Sequence, residues 1–188
     1  MRFLNCLIFA AVLGSLQGCF PVIAAGVGGG ALMVADRRTT GAYIEDESIE
    51  TKAVSQISLK YKDTVHINVT SFNRHVLITG EAPNEGAKVD IARIVESIVN
   101  VKAVSNEMAV SEKTDLGSRS SDSIVTGDVK LRFINNKTFQ ANHVKVVTEN
   151  GVVYLMGLVF HKEADAASEV ASTTKGVLRV VKVFEYLD

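Results

Sequence analysis

Residues 144–159 read Val144-Lys145-Val146-Val147-Thr148-Glu149-Asn150-Gly151-Val152-Val153-Tyr154-Leu155-Met156-Gly157-Leu158-Val159. Asn150-Gly151 lies between two β-rich runs, and both residues tolerate the positive φ of a two-residue hairpin turn. The segment predicts a hairpin with strands from His143 to Thr148 and from Val152 to Val159. Before it, Asp122 to Ile134 places apolar residues at helical spacing. After it, His161 to Thr174 does the same, and Val177 to Leu187 returns to a β-rich pattern. The order is helix, strand, strand, helix, strand.

The same order occurs once more, about 75 residues earlier. Asp46 to Tyr61 carries Ile49, Ala53, Val54, Ile57 and Tyr61 at helical spacing, with acidic residues at its start. Thr64 to Thr70 alternates Val65, Ile67 and Val69 with polar neighbours, Phe72 to Arg74 turns, and His75 to Gly80 returns. Asn84 to Asn100 predicts a second helix and Val101 to Val110 a third strand. Between the copies, Ser111 to Ser121 holds Gly117 and four serines with almost nothing to bury, which predicts a linker and two loosely joined domains. The fold class is α+β: two tandem αββαβ domains, 45–110 and 121–188, joined by a linker at 111–120. Each is a small mixed three-stranded sheet packed against two helices.

The first residues have a different purpose. Arg2 is the only charge before an apolar run from Phe3 to Leu16, which is too short for a retained membrane span. It ends in Leu16-Gln17-Gly18-Cys19, where a small residue admits a signal peptidase and the cysteine thiol takes up diacylglycerol. We expect a signal peptide at 1–18, an N-acyl diacylglycerol anchor on Cys19, and a Gly- and Ala-rich tether at 19–44. Phe20 stands where an aspartate would retain a lipoprotein in the inner membrane of a Gram-negative bacterium, so outer-membrane sorting is favoured.

Several functions are disfavoured by the residues. Cys6 leaves with the leader, so the mature chain has neither a disulfide nor a cysteine nucleophile. The chain has 20 Lys and Arg against 21 Asp and Glu, a net charge of −1, and offers no basic field to nucleic acid. Gly26 to Ala31 imitates a dinucleotide fingerprint but lacks the preceding strand and following helix. His66, His75, His143 and His161 fall at no metal-ligand spacing. No nucleophile elbow is present, and the carboxylate pairs Asp46-Glu47 and Glu163-Asp165 read as helix-start charges that complement the macrodipole. We expect no enzyme, no metal, no small-molecule substrate and no cofactor beyond the acyl chains on Cys19.

The helix from Asp122 to Ile134 carries more apolar surface than a small domain needs. At 100° per residue, Val125, Val129 and Phe133 form one stripe, and Ile124, Gly127, Leu131 and Ile134 form another on the opposite side, with Lys130 beside Leu131. The corresponding helix of the first domain has polar Lys52, Ser55 and Gln56 in that region. The second stripe can meet a membrane, a partner protein or the first domain. Lys130 would face a lipid phosphate if the stripe entered the acyl boundary. Domain charge fits the second domain better to an anionic surface, with 8 basic and 8 acidic residues against 7 and 10 in the first.

The two αββαβ units, Leu16 to Cys19, Asp36-Arg37-Arg38-Thr39-Thr40-Gly41, Ile67-Asn68-Val69-Thr70 and above all Val144 to Val159 together resemble the dual BON-domain outer-membrane lipoproteins of the DolP type. The resemblance implies a periplasm-facing lipoprotein that supports outer-membrane integrity and concentrates at division sites. It also implies that anionic phospholipid is bound through the first helix of the second domain, on which the outer stripe read above puts Ile124, Gly127, Lys130, Leu131 and Ile134 forward as the contact residues. The alternative is a protein-protein adaptor for the outer-membrane assembly machinery. Two positions depart from the family's pattern: Ile124 stands where a larger aromatic is at home, and Asp128 where a basic residue would suit anionic lipid better.

Overall fold

The computed structural model describes residues 36–188. The signal peptide, the Cys19 anchor and the tether as far as residue 35 lie outside the described residues. Domain 1 comprises α1 (Thr40–Tyr61), a 3-10 turn (Lys62–Thr64), β1 (His66–Phe72), β2 (His75–Ala82), α2 (Glu85–Glu96), β3 (Ala103–Asn106) and β4 (Ala109–Val110). Domain 2 comprises α3 (Leu116–Ile134), a 3-10 turn (Ala141–His143), β5 (Val144–Glu149), β6 (Val152–Val159), α4 (His161–Ser172) and β7 (Arg179–Tyr186). In each domain the hairpin is antiparallel and the third strand returns parallel to the second, giving the sheet orders β1-β2-β3 and β5-β6-β7. The fold is α+β with two mixed sheets.

Both first helices begin earlier than the sequence suggested. Thr39 caps α1 by accepting the Ala42 N–H at 3.1 Å, so the tether expected to reach residue 44 gives way to helix at Thr40. Asp115 caps α3 by accepting the Ser118 N–H at 2.8 Å, so the second half of the expected linker is helical. The early turns were hidden because Gly and Ser disfavour helix interiors and carry no apolar stripe. The run Val101 to Val110 is two strands, not one. At the break, the Glu107 N–H bonds the Ile78 carbonyl and Met108 turns into the core, while β4 pairs separately with β2.

Each sheet has two buried faces. On β6, Val153, Leu155 and Val159 face the domain's own helices, while Tyr154, Met156 and Leu158 face the other way. On β2, Val76 and Ile78 enter the core beneath α1 and α2, and Leu77 faces domain 2. Phe72, Leu77, Tyr154, Met156, Leu158 and Val183 thus form a third core in which the sheets pack back to back. The layers run helices, sheet, sheet, helices. The two domains expected to be loosely joined share this core, and Val152 to Val159 carried the signal. Its apolar residues do not alternate with polar ones, as befits a strand covered on both faces.

Two glycines permit the hairpins to close. A Cβ on Gly80 would lie 2.2 Å from the His66 carbonyl oxygen, and one on Gly157 would lie 2.3 Å from that of His143. Any side chain would push the paired strands apart.

Candidate functional site

Helix α3 is held in one rotational setting by three polar ties. The buried Asp122 carboxylate accepts the Asn150 and Gly151 N–H groups at 2.8 Å each, locking the hairpin turn onto the helix. Thr126 Oγ1 donates to Thr148 Oγ1 on β5 at 2.7 Å. On the other flank, the Arg132 guanidinium donates to the Val170 carbonyl, to Thr173 Oγ1 and to Thr174 Oγ1 at 2.7–2.9 Å. Val125, Val129 and Phe133 consequently point into the domain core, where Phe133 meets Phe139 edge to face with ring centroids 5.0 Å apart.

The opposite face is bare. Ile124, Leu131 and Ile134 are 66%, 60% and 67% exposed, and the site of a Cβ on Gly127 has nothing within 4 Å. Lys130 is exposed beside them and takes no ion-pair partner among the described residues. Asp128 is exposed as well. Domain 1 does not cover this face, because it packs on the far side of the domain 2 sheet from α3. The reading in which Ile124 and Leu131 pack against domain 1 is therefore corrected by the layer order. No helix among the described residues is long and apolar enough to cross a membrane.

Two further arrangements escaped the sequence. Arg37 and Arg38, assigned there to the tether, form a clasp over both domains. Arg37 makes a bidentate pair with Glu163 at 2.6 and 2.8 Å, donates to the Leu158 carbonyl, and lies over the Phe160 ring. Its hydrogen bonds hold the Glu163 carboxyl below the usual carboxylate range. Arg38 pairs with Asp36 and with buried Asp46 and stacks 4.1 Å from the Phe72 centroid. Asp46 and Glu163, expected to serve as helix-start charges, are thus hubs of the clasp, although Glu163 also accepts the Phe160 N–H at the start of α4. The signal was the Asp36-Arg37-Arg38 motif, whose charges an unstructured tether has no use for.

The second arrangement is a polar seam at one side of the third core. His66 Nδ1 lies 2.9 Å from Glu81 Oε2 and 3.9 Å from Glu149 Oε1, and both glutamates are buried. Burial alone would raise the Glu81 carboxyl, but hydrogen bonds from Asn150, the Thr114 N–H and His66 outweigh it and hold Glu81 below its usual value. Histidine spacing could not reveal this group, because its members come from three strands and two domains.

Comparison with known proteins adds the family. The BON domain matches residues 45–112 and 121–188. The chain is 38% identical over 187 residues, 95% of each chain, to the outer membrane lipoprotein DolP of Haemophilus influenzae. It is 35% identical over 154 residues to a 21 kDa hemolysin of Actinobacillus pleuropneumoniae, covering 81% of this chain and 79% of that protein. With the osmotically-inducible protein Y of Escherichia coli it shares 24% identity over 147 residues, covering 74% and 72%.

Proposed function

This chain belongs to the BON-domain family, as an outer-membrane lipoprotein of the DolP type, and we propose on that premise that domain 2 binds anionic phospholipid through the outer face of α3. The chain hangs on the periplasmic side of the membrane by the acylated Cys19 and supports the integrity of the outer membrane, with a place at division sites. One observation carries the lipid reading: Ile124, Leu131 and Ile134 are exposed in one row, on a helix whose core needs are already met by Val125, Val129 and Phe133.

The chemistry of that face suits a bilayer surface. Three aliphatic side chains enter the acyl boundary, Gly127 leaves the backbone free to lie close to it, and Lys130 sits at headgroup height near phosphate. Arg132 contributes no such contact, since its guanidinium is committed to α4. The acyl chains on Cys19 hold the chain at the membrane by themselves, so contact through α3 adds a preference for the lipid surface it meets.

Flotation of the unacylated protein with anionic liposomes tests the reading. The wild type is expected to float, and Ile124→Glu or Leu131→Glu to lower binding at least tenfold with unchanged circular dichroism. A folded Ile124→Glu protein that floats like wild type overturns the lipid reading and favours a protein partner at this face.

A further inference from the structure

We propose that His66, Glu81 and Glu149 form a binding site for a divalent transition-metal ion, zinc or manganese, at the seam between the two domains. Their donor atoms all lie within 4.8 Å of one another, the one such convergence of three His, Cys, Asp or Glu side chains among the described residues. Metal-to-donor bonds of about 2.0–2.2 Å place neighbouring donors roughly 3–3.5 Å apart. The observed 2.9 and 3.9 Å separations from His66 Nδ1 therefore bracket the liganding geometry. One imidazole and two carboxylates suit zinc or manganese, and the absence of thiolate makes a site for soft metals unfavourable.

The surrounding bonds are arranged as outer supports of such a site. Asn150 Nδ2 donates to Glu81 Oε1 at 2.9 Å. Asn68 Nδ2 and Thr79 Oγ1 donate to Glu149 Oε2 at 2.7 and 3.0 Å. Each carboxylate is thus fixed by one oxygen while the other, Glu81 Oε2 or Glu149 Oε1, is turned towards His66. Thr114 adds two longer bonds to Glu81 Oε2 at 3.2 Å each, which an ion would displace or share.

Charge supplies the driving force. Two carboxylates from different domains are buried together, and Coulomb repulsion between them opposes docking. Arg119 lines the same cleft, but its NH2 group donates to the Thr114 carbonyl and it forms no ion pair with either glutamate. A doubly charged ion offsets both carboxylates at once and links β1 and β2 of domain 1 to β5 of domain 2. A cleft of about 200 Å³, lined by His66, Asn68, Arg119, Asp122, Thr126 and Glu149 among others, gives it a way in. This site is separate from the bare face of α3 and does not depend on lipid binding.

The experiment uses the full chain in detergent, stripped of metal with a chelator and dialysed. Zinc added to about 100 times its dissociation constant should raise the unfolding midpoint by about 5–10 °C. Glu149→Gln and Glu81→Gln should each remove most of that rise. Substoichiometric manganese added to the wild-type protein should broaden the NMR signals of His66, Glu81 and Glu149 and of their partners Asn68, Thr79 and Asn150 before any others. Broadening centred elsewhere, no midpoint rise in the wild type, or a rise that persists in folded Glu149→Gln overturns the proposal and leaves the three residues as a hydrogen-bonded seam.

Discussion

Asp46 on α1 and Asp122 on α3 occupy the same place in their domains: each is buried and accepts two successive N–H groups of its hairpin turn, Asn73 and Arg74 in one case, Asn150 and Gly151 in the other. Aligned on these aspartates, Ile49, Ala53 and Ile57 match Val125, Val129 and Phe133, and all six enter their domain cores. The outward positions diverge. Ser48, Thr51, Ser55 and Ser58 on α1 stand where α3 has Ile124, Gly127, Leu131 and Ile134. Domain 1 folds with hydroxyl side chains at these four positions, and its exposed Ile44 and Leu59 stand only towards the ends of that face, so the continuous apolar row of α3 is not a requirement of the fold.

The comparison breaks first at the inner stripe. Val129→Glu places an unpaired charge at a fully buried position, which should cost more than about 4 kcal/mol and abolish the native circular dichroism and NMR dispersion of domain 2. A Val129→Glu protein that stays folded would show that the two faces of α3 do not differ as described.

The next largest effect belongs to the layer the domains share. Met156→Ala removes a buried side chain from the third core and should cost about 2–4 kcal/mol. Chemical denaturation measures that loss, and limited proteolysis should find 111–115 cut faster than in wild type. Ser111, Thr114 and Lys113 are otherwise tied to domain 1 by bonds to the Ala82 carbonyl, to Glu81 and to the Asp63 carbonyl.

The clasp is worth less. Arg37→Ala breaks the bidentate pair with Glu163 and should lower stability by about 1–2 kcal/mol at neutral pH. Glu163 has a depressed folded pKa, so this stabilisation is present above its ordinary value of 4.5 and fades as pH falls through the lower folded value. Thermal midpoints of wild type and Arg37→Ala should therefore differ at pH 7 and converge in acid. The smallest effect is that of Lys130→Ala, which leaves the fold unchanged and weakens liposome binding by no more than about 1 kcal/mol, a loss that salt should mask.

The αββαβ order, the hairpin at Asn150-Gly151 and the inner and outer stripes of α3 were legible because each is a local pattern. A turn type is fixed by two residues, and a helix face by spacing every three or four. The helix starts at Thr40 and Leu116 were less legible, since both precede any apolar stripe and announce themselves only through the caps Thr39 and Asp115. The clasp and the seam were not legible. Arg37 finds Glu163, and His66 finds Glu81 and Glu149, across separations in the chain that no periodicity encodes.

The sequence by itself determined two repeats, a mixed sheet in each, and a helix with one apolar face more than its core consumes. Tertiary structure alone decided that domain 1 does not cover that spare face. Tyr154, Met156 and Leu158 on β6, together with Leu77 on β2, bury the backs of both sheets against each other. That packing commits domain 1 to the side of the sheet opposite α3. Hydrophobic spacing can say that a residue wants to leave water, but only the arrangement of layers says whether anything within the protein is there to receive it.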